Sequence, residues 1–164
     1  MQNELNVVGI QADLVWENPT ENLTFFEEQI NTLSKNTDLV VLPEMFTTGF
    51  TMKPENIAEK MDGNAVSWMQ KMASENKIAL CGSLVIEENN NYYNRMIFVH
   101  PSKEIETYDK RHSFTLAGED KVYTSGTKKL IVTYKGWKIC PFVCYDLRFP
   151  VWTRNTDNYD LLIF

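Results

Sequence analysis

Two periodicities alternate along the chain, and the places where one gives way to the other outline an α/β protein. Residues 5–11 are apolar enough for a first strand. Asn18-Pro19-Thr20-Glu21 combines an Asn cap, a proline at the first helical position and a carboxylate three residues after the cap. Leu23, Phe26, Ile30 and Leu33 follow at helical spacing, which predicts a helix over 19–34. Residues 38–43 hold the unbroken apolar run Leu39-Val40-Val41-Leu42, a strand stopped by Pro43. A second helix is predicted over 64–75, with Val66, Met69, Met72 and Ala73 along one side. From residue 78 the pattern turns strand-like over 78–86, 92–99 and 105–109, with Glu88-Asn89-Asn90-Asn91 and His100-Pro101-Ser102-Lys103 as turns. A polar loop over 110–128 leads to a hairpin, 130–134 and 137–143, around Lys135-Gly136. A helix over 148–155 and the strand-like run ending at Phe164 complete the pattern. Unbroken apolar runs between breakers suit strands covered on both faces. Early helices and central hairpins predict two sheets packed face to face with helices outside. No repeat or linker divides residues 1–164, which read as one domain.

Composition narrows the function. The 164 residues are 43% hydrophobic and 23% charged, the balance of a folded globular protein. A net charge of -6 argues against nucleic-acid and membrane-surface partners, which attract basic patches. No apolar run is long enough to span a bilayer and the first residues lack the regions of a signal peptide, so the cytoplasm is the expected compartment. Cys81, Cys140 and Cys144 show no metal-ligand spacing. Cys140 and Cys144 are four residues apart on one predicted strand, roughly 13 Å, too far for a disulfide.

The candidate chemistry lies at strand ends. Ile139 to Val143 reads as a buried strand that stops at Cys144 and turns at once into a helix start, a geometry that projects a nucleophile from a sheet edge. Glu44 follows the apolar run ending at Pro43, and Lys110 follows the run 105–109. All three leave their strands at one end, where open α/β sheets build ligand sites. Taken singly, each has a bland reading: a small buried hydrophobe, a solvated loop carboxylate, a surface charge. A base and a cation beside Cys144 would favour its thiolate and make it the most reactive of the three thiols.

In Pro43-Glu44-Met45-Phe46, Tyr108-Asp109-Lys110-Arg111-His112 and Cys144-Tyr145-Asp146-Leu147-Arg148-Phe149-Pro150 the chain resembles the nitrilase superfamily of carbon-nitrogen hydrolases, from Val7 to the last residue. Thr47-Thr48-Gly49-Phe50 and Ala117-Gly118-Glu119 resemble its bacterial omega-amidase branch. The resemblance implies a four-layer αββα sandwich whose C-terminal part is missing, since family members continue well beyond the strand-like run that ends here. It implies a Glu44-Lys110-Cys144 triad, with Glu119 orienting the lysine and the Tyr145 backbone N–H assisting the oxyanion. It implies no metal or organic cofactor, a small amide such as 2-oxoglutaramate or 2-oxosuccinamate as substrate, and a homodimer or larger assembly. Phe46, Arg111 and Arg148 are candidate substrate contacts, and residues 149–152, with Trp152, a candidate interface. Asp146 reads as a cap for the turn and His112 as a supporting residue. A nitrile or carbamoyl-amine hydrolase, a non-catalytic fragment and a thiol redox sensor stand as alternatives.

Overall fold

The computed structural model describes residues 4–164. Five strands, β1 (Val7–Gly9), β2 (Leu39–Val41), β3 (Ala79–Glu88), β4 (Asn91–Val99) and β5 (Ile105–Asp109), lie in chain order in one sheet. The first three are parallel and the last two antiparallel. Parallel neighbours need crossovers, and α1 (Pro19–Asn31) and α2 (Asn64–Asn76) supply them. A second sheet comprises β6 (Val132–Tyr134), β7 (Trp137–Pro141) and β8 (Leu161–Ile163), with β7 and β8 parallel.

Strand alternation divides the apolar runs between two cores. Val40, Leu80, Ile97 and Val99 face the helices and pack with Phe26, Ile30, Met69 and Met72. Their neighbours Leu39, Ala79, Cys81 and Phe98 face the second sheet and pack with Val132, Ile139 and Ile163. Burying each large side chain contributes about 1.5–3 kcal/mol, so an unbroken run is what a strand covered on both faces requires. Among the described residues the layers run helices, sheet, sheet, which are three of the four layers of the αββα sandwich. None of the described helices is long and apolar enough to cross a membrane.

Local chemistry explains most boundaries. Asn18 caps α1 by accepting the Glu21 N–H at 3.2 Å, and Pro19 opens the helix. The helix stops at Asn31, three residues short of expectation, because the Thr32 and Leu33 amides turn to Gln29 and Ile30. β3 and β4 run further toward each other than predicted. They pair out to Glu88 and Asn91 around Asn89 and Asn90, whose φ values of 52 and 62 degrees make the two-residue hairpin turn that asparagine tolerates. The helix expected over 148–155 is a 3-10 turn, Cys144–Arg148, followed by the short α3 (Pro150–Thr153). Pro150 forces Phe149 out of the helical region, to φ -119 and ψ 74, so the turn must end and restart.

Candidate active site

β2 ends at Val41, and Glu44 follows Leu42 and Pro43 just beyond the C-terminal end of the strand. The next residue, Met45, is left-handed at φ 46 with its side chain fully buried, and its N–H donates to Ser83 Oγ at 2.8 Å. A strained backbone position is thus held by packing and by one hydrogen bond from β3.

Lys110 follows β5, its N–H donating to the Asn94 carbonyl at 3.0 Å. The buried ammonium reaches Glu44 Oε1 at 2.7 Å and both oxygens of Glu119 at 3.0 and 2.9 Å, and lies 5.2 Å from the centre of the Phe50 ring. Burial works against its charged form, but the Glu44 and Glu119 carboxylates more than offset it and raise its pKa. Glu119, fully buried, is aimed by the turn at Gly118, whose φ of 79 degrees suits glycine, and accepts the Phe114 N–H as well.

Cys144 opens the 3-10 turn at φ 41, a left-handed conformation in a residue with a side chain. The residue is exposed as a whole, while its thiol lies within the influence of the Glu44 carboxylate, with which it lines one cavity. Partial burial and the negative charge of Glu44 push the thiol up to about 11, and Lys110 pulls it only part of the way back. The direction runs against the expected thiolate, with burial its first cause and the charge of Glu44 its second. Cys81, fully buried, is pushed up to about 12 and Cys140 to about 11.

The elbow is fastened to the lysine loop through Asp146, which is wholly buried. It accepts the Val143 N–H at 3.2 Å, the Tyr108 hydroxyl at 2.7 Å and the His112 N–H at 3.0 Å, with His112 Nδ1 at 2.7 Å. His112 stacks on Phe149 at 3.7 Å. Both residues hold structure, as expected of them.

The carbon-nitrogen hydrolase family model matches residues 7–164. The chain belongs to that family. Within it, the chain is 39% identical over 160 residues to the omega-amidase YafV of Escherichia coli strain K12, an alignment covering 98% of this chain and 62% of that protein. It is 32% identical over 149 residues to the 2-oxoglutaramate amidase of Bacillus subtilis strain 168, covering 89% and 58%. Among solved structures, XC1258 from Xanthomonas campestris, a CN-hydrolase superfamily protein with an arsenic adduct in its active site, superposes with a TM-score of 0.90 at 38% identity, covering 92% of this chain and 57% of that one. Saccharomyces cerevisiae Nit3, of the nitrilase superfamily, shares the fold with a TM-score of 0.78 at 24% identity, covering 90% and 58%. The chain spans about three fifths of the length of these relatives.

For this carbon-nitrogen hydrolase chain, a cavity of about 330 Å³ is lined by Glu44, Ser83, Met96, Phe142, Cys144 and Phe164, among others. The three residues expected to touch substrate lie elsewhere. Phe46 is fully buried in the helix-side core, edge-on to Phe26 at 5.5 Å and 6.0 Å from Trp68, because the turn after Glu44 carries it to the opposite side of the sheet. Arg111 and Arg148 line a separate cavity of about 420 Å³ with Phe149 and Trp152. The Arg111 guanidinium lies over the Trp152 ring at 5.0 Å and donates to the Gly126 carbonyl at 3.1 Å. Trp152 is not a free apolar surface group either: half-buried, it donates from Nε1 to the Tyr108 hydroxyl at 3.3 Å. The exposed apolar residues at the elbow are Leu147 and Val151. Sequence reasoning missed Asn94, whose Nδ2 donates to both Glu44 and Glu119 at 2.8 and 3.2 Å. The available signal was an amide inside a strand that is otherwise apolar on the same face, at Met96 and Phe98.

Proposed function

We propose that the protein is a thiol amidohydrolase, an omega-amidase that hydrolyses the terminal carboxamide of short α-keto acid amides such as 2-oxoglutaramate and 2-oxosuccinamate. The observation that carries this reading is one carboxylate with two neighbours: Glu44 lines a cavity with Cys144 and pairs with buried Lys110 at 2.7 Å. A thiol pushed up to about 11 needs a base to become a nucleophile, and Glu44 is positioned to be that base. A lysine whose pKa is raised stays cationic and serves as an electrostatic anchor.

In this mechanism Cys144 Sγ attacks the carboxamide carbon as Glu44 takes the thiol proton. The oxyanion rests against Lys110 and the Tyr145 N–H, which lies in the first turn of a 3-10 segment where amides lack acceptors within the turn. The C–N bond breaks as Glu44 returns the proton to nitrogen, leaving a thioester and ammonia. Glu44 then takes a proton from water, whose oxygen attacks the thioester, and the acid departs as the thiol is restored. The nucleophile is the thiol and the positive charge is the lysine, so the scheme requires no metal or organic cofactor. Assembly into homodimers or larger oligomers and a cytoplasmic location belong to the same reading.

One observation favours another substrate of the same chemistry, a nitrile or a carbamoyl amine. The cavity holding Glu44 and Cys144 is lined mainly by apolar side chains, while Arg111 and Arg148, the expected carboxylate partners, line the other one. Ammonia release measured with 2-oxoglutaramate, 2-oxosuccinamate, glutamine, asparagine and an aliphatic nitrile separates the two. The highest kcat/KM is expected for the keto acid amides, and a higher value for the nitrile rejects the omega-amidase reading.

A further inference from the structure

Asn94 lies on β4 in register with the residues that face the second sheet, and it is buried. Both oxygens it serves are also held by Lys110. Asn94 Nδ2 donates to Glu44 Oε1 and Glu119 Oε1, and Lys110 Nζ lies 2.7 and 3.0 Å from the same two atoms. The Asn94 carbonyl in turn accepts the Lys110 N–H. Its Oδ1, by contrast, is buried with no hydrogen-bond partner. Buried amides kept for structure have both ends paired. This one is kept for its donor end.

Charge arithmetic says why. Glu44 and Glu119 are two carboxylates around one ammonium, and Asn94 adds a further donor to each. The Asn94 hydrogens stabilise both anions without altering the net charge. We propose that Asn94 is a positioning residue for the base: with Lys110 it holds Oε1 of Glu44, so that the proton exchanged with Cys144 and the leaving nitrogen travels on Oε2. The proposal rests on Glu44 acting as the base of the amidase reading. The charged and titratable groups around Glu44 are Lys110 at the end of β5, Glu119 from its 3-10 turn, Cys144 from the elbow, and Tyr123, whose hydroxyl donates to Thr51 O and lies within the field of both glutamates.

Removing the donor leaves Oε1 of Glu44 held by Lys110 alone. In Asn94→Leu the carboxylate is free to turn, so kcat for the preferred amide is expected to fall at least about tenfold with KM within about twofold of wild type. A purely structural role would lower the melting temperature and leave kcat of the folded protein unchanged, and that result, or turnover within about twofold of wild type, overturns the proposal. Should Asn94→Leu not fold, Asn94→Ser, which keeps one donor, decides: a smaller fall in kcat at unchanged KM supports the role, and no change or a rise in KM alone rejects it. If the wild-type protein releases ammonia from no amide, the amidase reading fails. Iodoacetamide labelling of Cys144 then judges Asn94 alone, slower labelling in the variant supporting the role and an unchanged rate rejecting it.

Discussion

Two charge clusters lie back to back on the β4–β5 hairpin. On the helix-facing side Arg95 holds Asp109 at 2.6 and 3.0 Å and Glu88 at 3.1 Å. One residue along on each strand, Asn94 and Lys110 turn to the other side, where Lys110 holds Glu44 and Glu119. Each cluster has one cation and two carboxylates, yet their surroundings differ. The Asp109 and Glu88 side chains are 24% and 46% exposed, so water screens them, and the planar guanidinium is locked two-pronged on Asp109. Lys110 and Glu119 are 2% and 1% exposed, and the ammonium is a compact charge able to lean toward a third anion. The same charges make a brace where a fork is saturated and, in the proposed function, a reactive centre where a point charge lies near a thiol.

Substitution of each cation tests that contrast. Lys110→Met and Glu44→Gln are each expected to lower kcat at least about a hundredfold with unchanged circular dichroism, since each removes a group used mainly in the transition state. Arg95→Met is expected to leave kcat within about twofold and to lower unfolding free energy by about 2–3 kcal/mol in urea titration. Equal losses of kcat at the two sites would erase the distinction.

A smaller effect is expected at Gly126, which closes the loop after β5 by donating to the Lys110 carbonyl at 2.9 Å. A side-chain carbon there would lie 2.1 Å from the Asp109 carbonyl oxygen, so Gly126→Ala must displace backbone that carries both clusters. A stability loss of about 1–3 kcal/mol with a few-fold fall in kcat is expected, and an unchanged melting temperature would show that the loop end does not set the spacing.

The smallest effect is alkaline. Cys81, pushed up to about 12 by burial, keeps its proton in the fold while the unfolded chain releases it near 9. Above that pH the unfolded state binds fewer protons, so stability falls as pH rises from about 9 toward 12. Lys110 acts in the same direction, because its raised pKa contributes stability that is lost as pH climbs through it. The melting temperature is expected to decline across this range, and less so in Cys81→Ala measured against its own neutral-pH value.

Much of this was legible in the sequence because it is written in local patterns. Apolar runs between breakers gave the strands, and Asn18-Pro19 marked a helix start that the structure keeps. Glu44, Lys110 and Cys144 were readable as strand-end residues. What escaped depends on faces and neighbours that no local pattern encodes. Phe46 is two residues from Glu44 yet packs on the opposite side of the sheet, and Arg111 is adjacent to Lys110 yet points to another cavity. The upward shift of the thiol required knowing how far Cys144 is buried and that Glu44 lies beside it. Asn94 stood out only as an amide on an apolar strand face, and its role became readable once both of its partners were placed.

The pairing of Arg95 with Asp109 also guards assembly of the hairpin. A strand that slips by one residue turns every side chain to the other face. Such a slip of β5 would bring Asp109 against Glu44 and Glu119, three carboxylates with no cation, and would press Lys110 against Arg95. The wrong register is therefore penalised on both faces at once, so the two clusters together favour the native pairing of β4 with β5.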